Sequence, residues 1–130
     1  MDLNKLDLNQ LSNEGAWVDL LHPATGSKLP MKIKILGKDS DKFIQLSEEF
    51  RRSSLEDMKA NKTTEQKIQS SKEYGDKLLI SCTIAWEGIE LDGKKLDCTP
   101  DNVKAVYQRF SWIKEQIDTA IADRANFIKP

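Results

Sequence analysis

Few side chains in this sequence are of types that could do chemistry. The chain has one histidine, His22, and two cysteines, Cys82 and Cys98. These three residues cannot form a structural zinc site, which usually needs four protein ligands. A nucleophilic cysteine needs an activating partner, and no sequence signature pairs either thiol with one. Because His22 precedes Pro23 at the expected end of a strand, we interpret it as structural or surface-exposed and predict no catalytic or metal-binding residue.

Motifs that bind phosphates or activate a serine are missing as well. The six glycines are scattered singly along the chain, whereas a P-loop or a dinucleotide fingerprint needs them clustered. The serines lack the Gly-x-Ser-x-Gly elbow of many hydrolases. We therefore expect no cofactor, and we rank a small enzyme below non-enzymatic functions.

Charge and hydropathy limit the classes of partner and the cellular locations that the sequence favours. Twenty basic and twenty-one acidic residues give a net charge of -1, and a protein that binds phosphate backbones normally has a basic excess. No apolar run approaches the ~20 residues needed to cross a bilayer. The first residues lack the basic start and the apolar stretch of a signal peptide. We therefore expect no nucleic acid or membrane partner and a location in the cytoplasm.

Two stretches near the N-terminus have strand patterns and are joined by a predicted turn. The apolar stretch Trp17–His22 is followed by residues 23–27, whose proline and glycine are typical of turns. From residue 29 to residue 35, every second residue is apolar, and Lys32 and Lys34 lie between them, which is the period of a half-buried strand. The sequence therefore predicts an antiparallel β-hairpin. Its lysines form the solvated face, with an anionic partner as the alternative.

Helical patterns follow the hairpin. Residues 39–41 have the composition of a helix N-terminus. The expected apolar stripe after them consists of Phe43, Leu46, Phe50, Leu55 and Met58. Residues 59–76 are the most polar part of the chain and fit either an exposed helix or a mobile connection. The apolar run Leu78–Trp86 fits a buried strand or a buried helix, and we favour the helix.

The C-terminal third carries clear local signals. Asp92-Gly93 predicts a tight two-residue turn. Thr99 followed by Pro100 predicts the start of a helix, because threonine caps the first turn and proline suits the first helical position. Ser111 is expected to cap a second helix. Apolar residues at helical spacing follow both positions.

These patterns together predict an α+β fold, an N-terminal β-hairpin followed by a mainly helical domain. A length of 130 residues suits one domain, which we place at residues 17–130. Residues 1–16 are polar with irregularly spaced leucines, and we interpret them as a flexible N-terminal arm.

Three aromatic residues are candidates for partner binding. Trp86 and Trp112, like Trp17, each stand near the start or the end of a predicted element, and Phe110 lies on the apolar face of a predicted helix. Aromatic side chains bury large areas, so core packing is one interpretation. Tryptophan is also enriched at interaction hot spots. We take the three residues as a candidate binding groove for a partner and keep core packing as the alternative.

Several ordered fragments of the sequence are similar to one protein family. Residues 20–26 (LLHPATG) followed by residues 33–43 (IKILGKDSDKF) resemble the start of the small tail assembly chaperones of long-tailed bacteriophages. Residues 83–89 (TIAWEGI) resemble the Trp-Glu-Gly segment of that family. Residues 100–104 and 112–117 resemble its closing pair of helices.

The resemblance implies a non-enzymatic role in building the virion. Such chaperones bind the aggregation-prone tape measure protein in the host cytoplasm and help to recruit tail tube subunits. They are absent from the mature virion. The alternative function is a structural tail or connector subunit of the virion. A chaperone needs apolar contact surface and no reactive group, in agreement with the residue types above.

Overall fold

The computed structural model describes residues 1–128 of the chain. These residues form helices and two small antiparallel sheets, so the predicted α+β class is confirmed. Single 3₁₀ turns lie at Leu3–Leu6 and Arg124–Asn126. The α-helices are α1 (Leu8–Glu14), α2 (Asp41–Lys59), α3 (Thr64–Cys82), α4 (Pro100–Arg109) and α5 (Ser111–Ala122). The strands are β1 (Ala16–Leu21), β2 (Lys28–Ile35), β3 (Thr83–Glu87), β4 (Glu90–Leu91) and β5 (Lys94–Lys95).

The main sheet has three antiparallel strands in the order β1-β2-β3. Val18 is paired with Ile33 across β1 and β2, and Ile33 is paired with Trp86 across β2 and β3. The alternation in β2 has the predicted consequence, since Ile33 and Ile35 are fully buried while the lysines of the strand lie on the other face. The order of an N-terminal hairpin followed by helices is not confirmed, because α1 precedes the strands and β3 joins the sheet after α3.

His22 organises the turn between β1 and β2. Its backbone N–H donates to the carbonyl oxygen of Ser27 at 2.8 Å. Its ring Nδ1 accepts the backbone N–H groups of Ala24, at 3.1 Å, and Thr25, at 3.2 Å. These contacts satisfy donors that the turn would otherwise leave free. The only histidine of the chain therefore has a structural position.

The run Leu78–Trp86 is helical in its first half only, so the prediction of a helix throughout is wrong. Helix α3 ends at Cys82, and residues from Thr83 onward pair with β2. β-branched and aromatic residues favour a strand once a neighbouring strand is available. The strand ends at Glu87, and a Cβ on the following Gly88 would lie 2.1 Å from the carbonyl oxygen of Pro30.

Helices α2 and α3 form a long antiparallel pair joined by a short loop. The sequence left an exposed helix and a mobile connection as alternatives for the polar residues 59–76. These residues are helical from Thr64 onward, and Thr63 and Gln66 form a capping box at the start of the helix. The aromatic rings of Phe50 and Tyr74 contact each other with centroids 4.9 Å apart.

The apolar stripe predicted along α2 is wrong in its second half. Phe43 packs against the core and Leu46 is buried, but Leu55 and Met58 are 54% and 65% exposed. Leu55 lies five positions after Phe50, which rotates its side chain by about 140° relative to Phe50 around a helix with 3.6 residues per turn. Leu55 therefore points away from the face that α2 turns toward α3.

The predicted starts of two helices and the tight turn are confirmed. The Ser40 hydroxyl accepts the N–H of Phe43 at the start of α2, and Thr99 caps α4 in the same way. Asp92 and Gly93, with φ of 54° and 76°, connect β4 and β5. The predicted cap at Ser111 is wrong, because Phe110 occupies the N-cap position of α5 without a side-chain bond.

The segment before β1 is attached to the rest of the domain by polar contacts. The Asn13 side chain accepts the N–H of Asp41 at 2.8 Å and donates to its carboxylate at 3.2 Å. Asn9 donates to the same carboxylate at 2.9 Å. Ser12 is buried against Gly37. Residues 1–16 thus include α1 and the 3₁₀ turn, while their flexibility stays a prediction.

Candidate partner-binding surface

The three aromatic residues selected from the sequence lie in different surroundings. Trp86 is 8% exposed and belongs to the hydrophobic core. Its indole Nε1–H donates to the carbonyl oxygen of Leu96 at 2.7 Å, which attaches the chain after β5 to β3. A buried indole with a satisfied N–H stabilises the core, so a partner contact at Trp86 stays a prediction without an exposed ring to support it.

Phe110 lies between α4 and α5 and is half-buried. It lines a small cavity of about 130 Å³ together with Leu91, Leu96 and Val106. The guanidinium of Arg109 lies 5.3 Å from the centre of the Phe110 ring, within the range of a cation–π contact. Phe110 therefore borders a small space between the β4–β5 hairpin and α4.

Trp112 lies in a separate, open cleft of about 440 Å³ between β1 and α5, which we call the Trp112 cleft. The structure therefore does not bring Phe110 and Trp112 into one groove. Apolar, acidic and uncharged polar side chains line the cleft. Its lining consists of Val18, Asp19, Leu21, Pro23, Trp112, Glu115, Gln116, Thr119, Ala120, Asp123 and Asn126.

A bidentate hydrogen bond fixes the two walls of the Trp112 cleft. The side-chain Oε1 of Gln116 accepts the backbone N–H of Leu21 at 2.9 Å, and Nε2 donates to the Leu21 carbonyl oxygen at 2.8 Å. These two groups of the outer strand would otherwise face solvent as a free sheet edge. The contact holds α5 against β1 and leaves the Leu21 side chain 44% exposed beside the indole.

The charged side chains of the Trp112 cleft are all acidic. Asp19 forms an ion pair with Lys28 at 3.4 Å, while Asp123 accepts the N–H of Ala125 at 3.0 Å. Glu115 is exposed on α5. An apolar floor with an acidic rim is complementary to an amphipathic segment that carries basic side chains.

Sequence reasoning missed most of this cleft. Trp112 was selected, but Leu21 and Gln116 are 95 positions apart and no local pattern joins them. The alternation of β1 could have indicated that Leu21 lies on the parity opposite Leu20, which is fully buried. Outside the cleft, sequence reasoning also missed Ile68 on α3, which is 64% exposed.

The potentially reactive groups are held in unreactive environments. Both cysteines are free, and burial raises the pKa of the Cys82 thiol to about 11. Burial also raises the pKa of Cys98 and of the Tyr107 hydroxyl. Within residues 1–128, no cluster of three or more histidine, cysteine or carboxylate side chains could hold a metal ion.

The comparisons with known proteins return no relative. No protein-family model, curated protein or solved structure matches the chain. Within the described part of the chain, no helix has the length and apolar character that a membrane span requires.

Proposed function

We propose that the protein is a bacteriophage tail assembly chaperone that binds the tape measure protein and helps to recruit tail tube subunits during tail morphogenesis. The proposal starts from the ordered sequence fragments that resemble this family. In this proposal the β1–β2 hairpin and the helices after it correspond to the arrangement that the family resemblance implies. The protein acts as a binding protein in the host cytoplasm and is absent from the mature virion.

The Trp112 cleft is the observation that carries the proposal. A chaperone for a long helical partner needs an accessible apolar surface that accepts one face of an amphipathic helix. The half-buried Trp112 ring and the exposed Leu21 supply that surface, and Gln116 holds the two walls in place. Tryptophan in a concave, partly desolvated position is the usual anchor of such an interface.

The test is co-expression with the tape measure protein from the same phage genome, followed by affinity purification of the tagged protein. We expect the tape measure protein to be recovered with the wild type. Trp112→Ala and Glu115→Lys should both reduce recovery, since one removes the anchor and the other reverses a rim charge. Asp118→Lys is the matched control, because it makes the same charge change at an exposed position of α5 outside the cleft.

Two outcomes would overturn the proposal. The first is that wild-type protein, shown to be folded by circular dichroism, recovers neither tape measure nor tail tube protein. The second is that mass spectrometry of purified virions finds the protein in stoichiometric amounts, which would favour the structural tail or connector subunit. Equal losses with Asp118→Lys and Glu115→Lys would place the contact outside the Trp112 cleft.

A further inference from the structure

A second open groove lies between α3 and the pair α4–α5. Two adjoining cavities of about 360 and 430 Å³ form it and share five lining residues, among them Lys72, Ile80 and Lys104. Along α3 the lining extends from Gln69 to Ser81, which is about 18 Å at 1.5 Å per helical residue. We call this the α3–α4 groove.

The α3–α4 groove has an excess of positive charge. Its ammonium groups belong to Lys72, Lys77, Lys104 and Lys114, and its carboxylates to Glu73 and Asp76. Lys114 Nζ donates to the Asp76 carboxylate at 2.5 Å, which neutralises this pair. Among the ion pairs of residues 1–128, none involves Lys72 or Lys104. These two exposed ammonium groups, one on each wall, are available to a ligand.

The floor of the groove is apolar. Ile80 is half-buried on α3, and the Tyr107 ring is 4% exposed on α4. The Tyr107 hydroxyl is not free to bind a ligand, because it is hydrogen-bonded to the Thr83 hydroxyl at 2.6 Å. A ligand that fits this groove therefore combines negative charge at its edges with an apolar side chain directed at Ile80.

We propose that the α3–α4 groove binds an acidic, amphipathic segment of a partner polypeptide, with carboxylates paired to Lys72 and Lys104. The length of the groove matches about twelve residues of a helix. A phosphate group fits less well, as the types of the lining residues indicate. The lining contains neither arginine nor glycine, which phosphate sites commonly use.

This inference does not rest on the proposed function. The two surfaces select opposite partner charges, because the Trp112 cleft has an acidic rim and the α3–α4 groove has a basic one. If the tape measure experiment fails, the proposal for the α3–α4 groove still stands. If the α3–α4 groove binds no acidic segment, the proposed function still stands.

The experiment measures the binding of two fluorescent peptides to the full chain by anisotropy. One is a helical twelve-residue peptide of glutamate and leucine, and the other has lysine in place of glutamate. We expect the acidic peptide to bind and the basic one not to bind, with affinity that falls as salt is added. The double variant Lys72→Glu with Lys104→Glu should weaken binding about tenfold, since it removes two ion pairs and adds repulsion.

The matched control is Lys94→Glu with Lys95→Glu on β5, which changes the net charge equally at exposed positions outside the groove. We expect both double variants to be folded, because all four substituted lysines are exposed. Circular dichroism measures this. The proposal is overturned if the control weakens binding as much as the groove variant, or if the basic peptide binds equally well. It is also overturned if millimolar inorganic phosphate displaces the acidic peptide at constant ionic strength, which would identify a small-anion site.

Discussion

The hydroxyl groups of Thr83 and Tyr107 connect the end of α3 to α4 at the point where helix changes to strand. Thr83 Oγ1 donates to the carbonyl oxygen of Leu79 at 2.8 Å. Its single proton is thereby used, so the Tyr107 hydroxyl donates to Thr83 Oγ1 across 2.6 Å. Both residues are buried. Thr83→Val removes this junction while keeping the β-branched shape that the strand prefers.

The magnitude follows from which groups lose their partners. Thr83→Val leaves the Tyr107 hydroxyl and the Leu79 carbonyl without these bonds, at a cost of about 1–3 kcal/mol for a buried unsatisfied group. Tyr107→Phe removes the donor but leaves the bond to Leu79 intact, so about 0.5–1.5 kcal/mol is expected. In the double variant no phenol remains to be left unsatisfied. Its loss of stability should therefore be smaller than the sum of the single losses by about 1 kcal/mol.

Urea unfolding followed by circular dichroism measures the free energy of unfolding of each variant. Tyr74→Phe is the control, because Tyr74 is half-buried and contacts Phe50 through its ring, and we expect a change within about 0.5 kcal/mol. Additive losses in the double variant would refute the chain of two hydrogen bonds. So would a Thr83→Val variant that is no less stable than Tyr107→Phe.

Two further predictions concern titratable groups. The hydrogen bond and charge of Arg124 lower the pKa of Asp39. A carboxyl group whose pKa is lower in the folded than in the unfolded protein stabilises the fold at pH values above its unfolded-state pKa of about 3.9. This stabilisation is lost as the pH falls through the folded-state pKa. The difference in urea midpoint between wild type and Arg124→Ala should therefore be present at pH 7 and shrink at pH 2–3, and a constant difference would contradict it. In the folded protein at pH 8, a thiol reagent should modify the partly exposed Cys98 well before the buried Cys82, whose pKa is about 11. In denaturant the reagent should modify both cysteines at equal rates. Equal rates in the folded protein would contradict the burial of Cys82.

Features set by a few neighbouring residues were predicted correctly from the sequence. Thr99 with Pro100 marked the start of α4, and Asp92-Gly93 marked the turn between β4 and β5. In each case the side chain or backbone preference acts on groups within three residues. The alternation of residues 29–35 predicted the buried face of β2 for the same reason, since a strand repeats every two residues.

The parts that failed depend on neighbours that are distant in the chain. The run Leu78–Trp86 has apolar residues suited to helix or strand, and pairing with β2 decided that Thr83 begins a strand. Serine is a residue type that favours the N-cap position. Phe110, which caps the end of α4, occupies the N-cap of α5 instead, so Ser111 is the first residue of α5. Phe110 and Trp112 are two positions apart, yet they line different cavities.

The sequence by itself determined the α+β class, the turns, two helix starts and the scarcity of reactive side chains, because these follow from residue types and short spacings. Only the tertiary structure decided the surfaces. The Trp112 cleft exists because Gln116 reaches the edge of β1, and the α3–α4 groove exists because Lys72 and Lys104 lie on helices that meet across Ile80. Concave surfaces are made by packing elements from distant parts of the chain, and local periodicity carries no information about which elements meet.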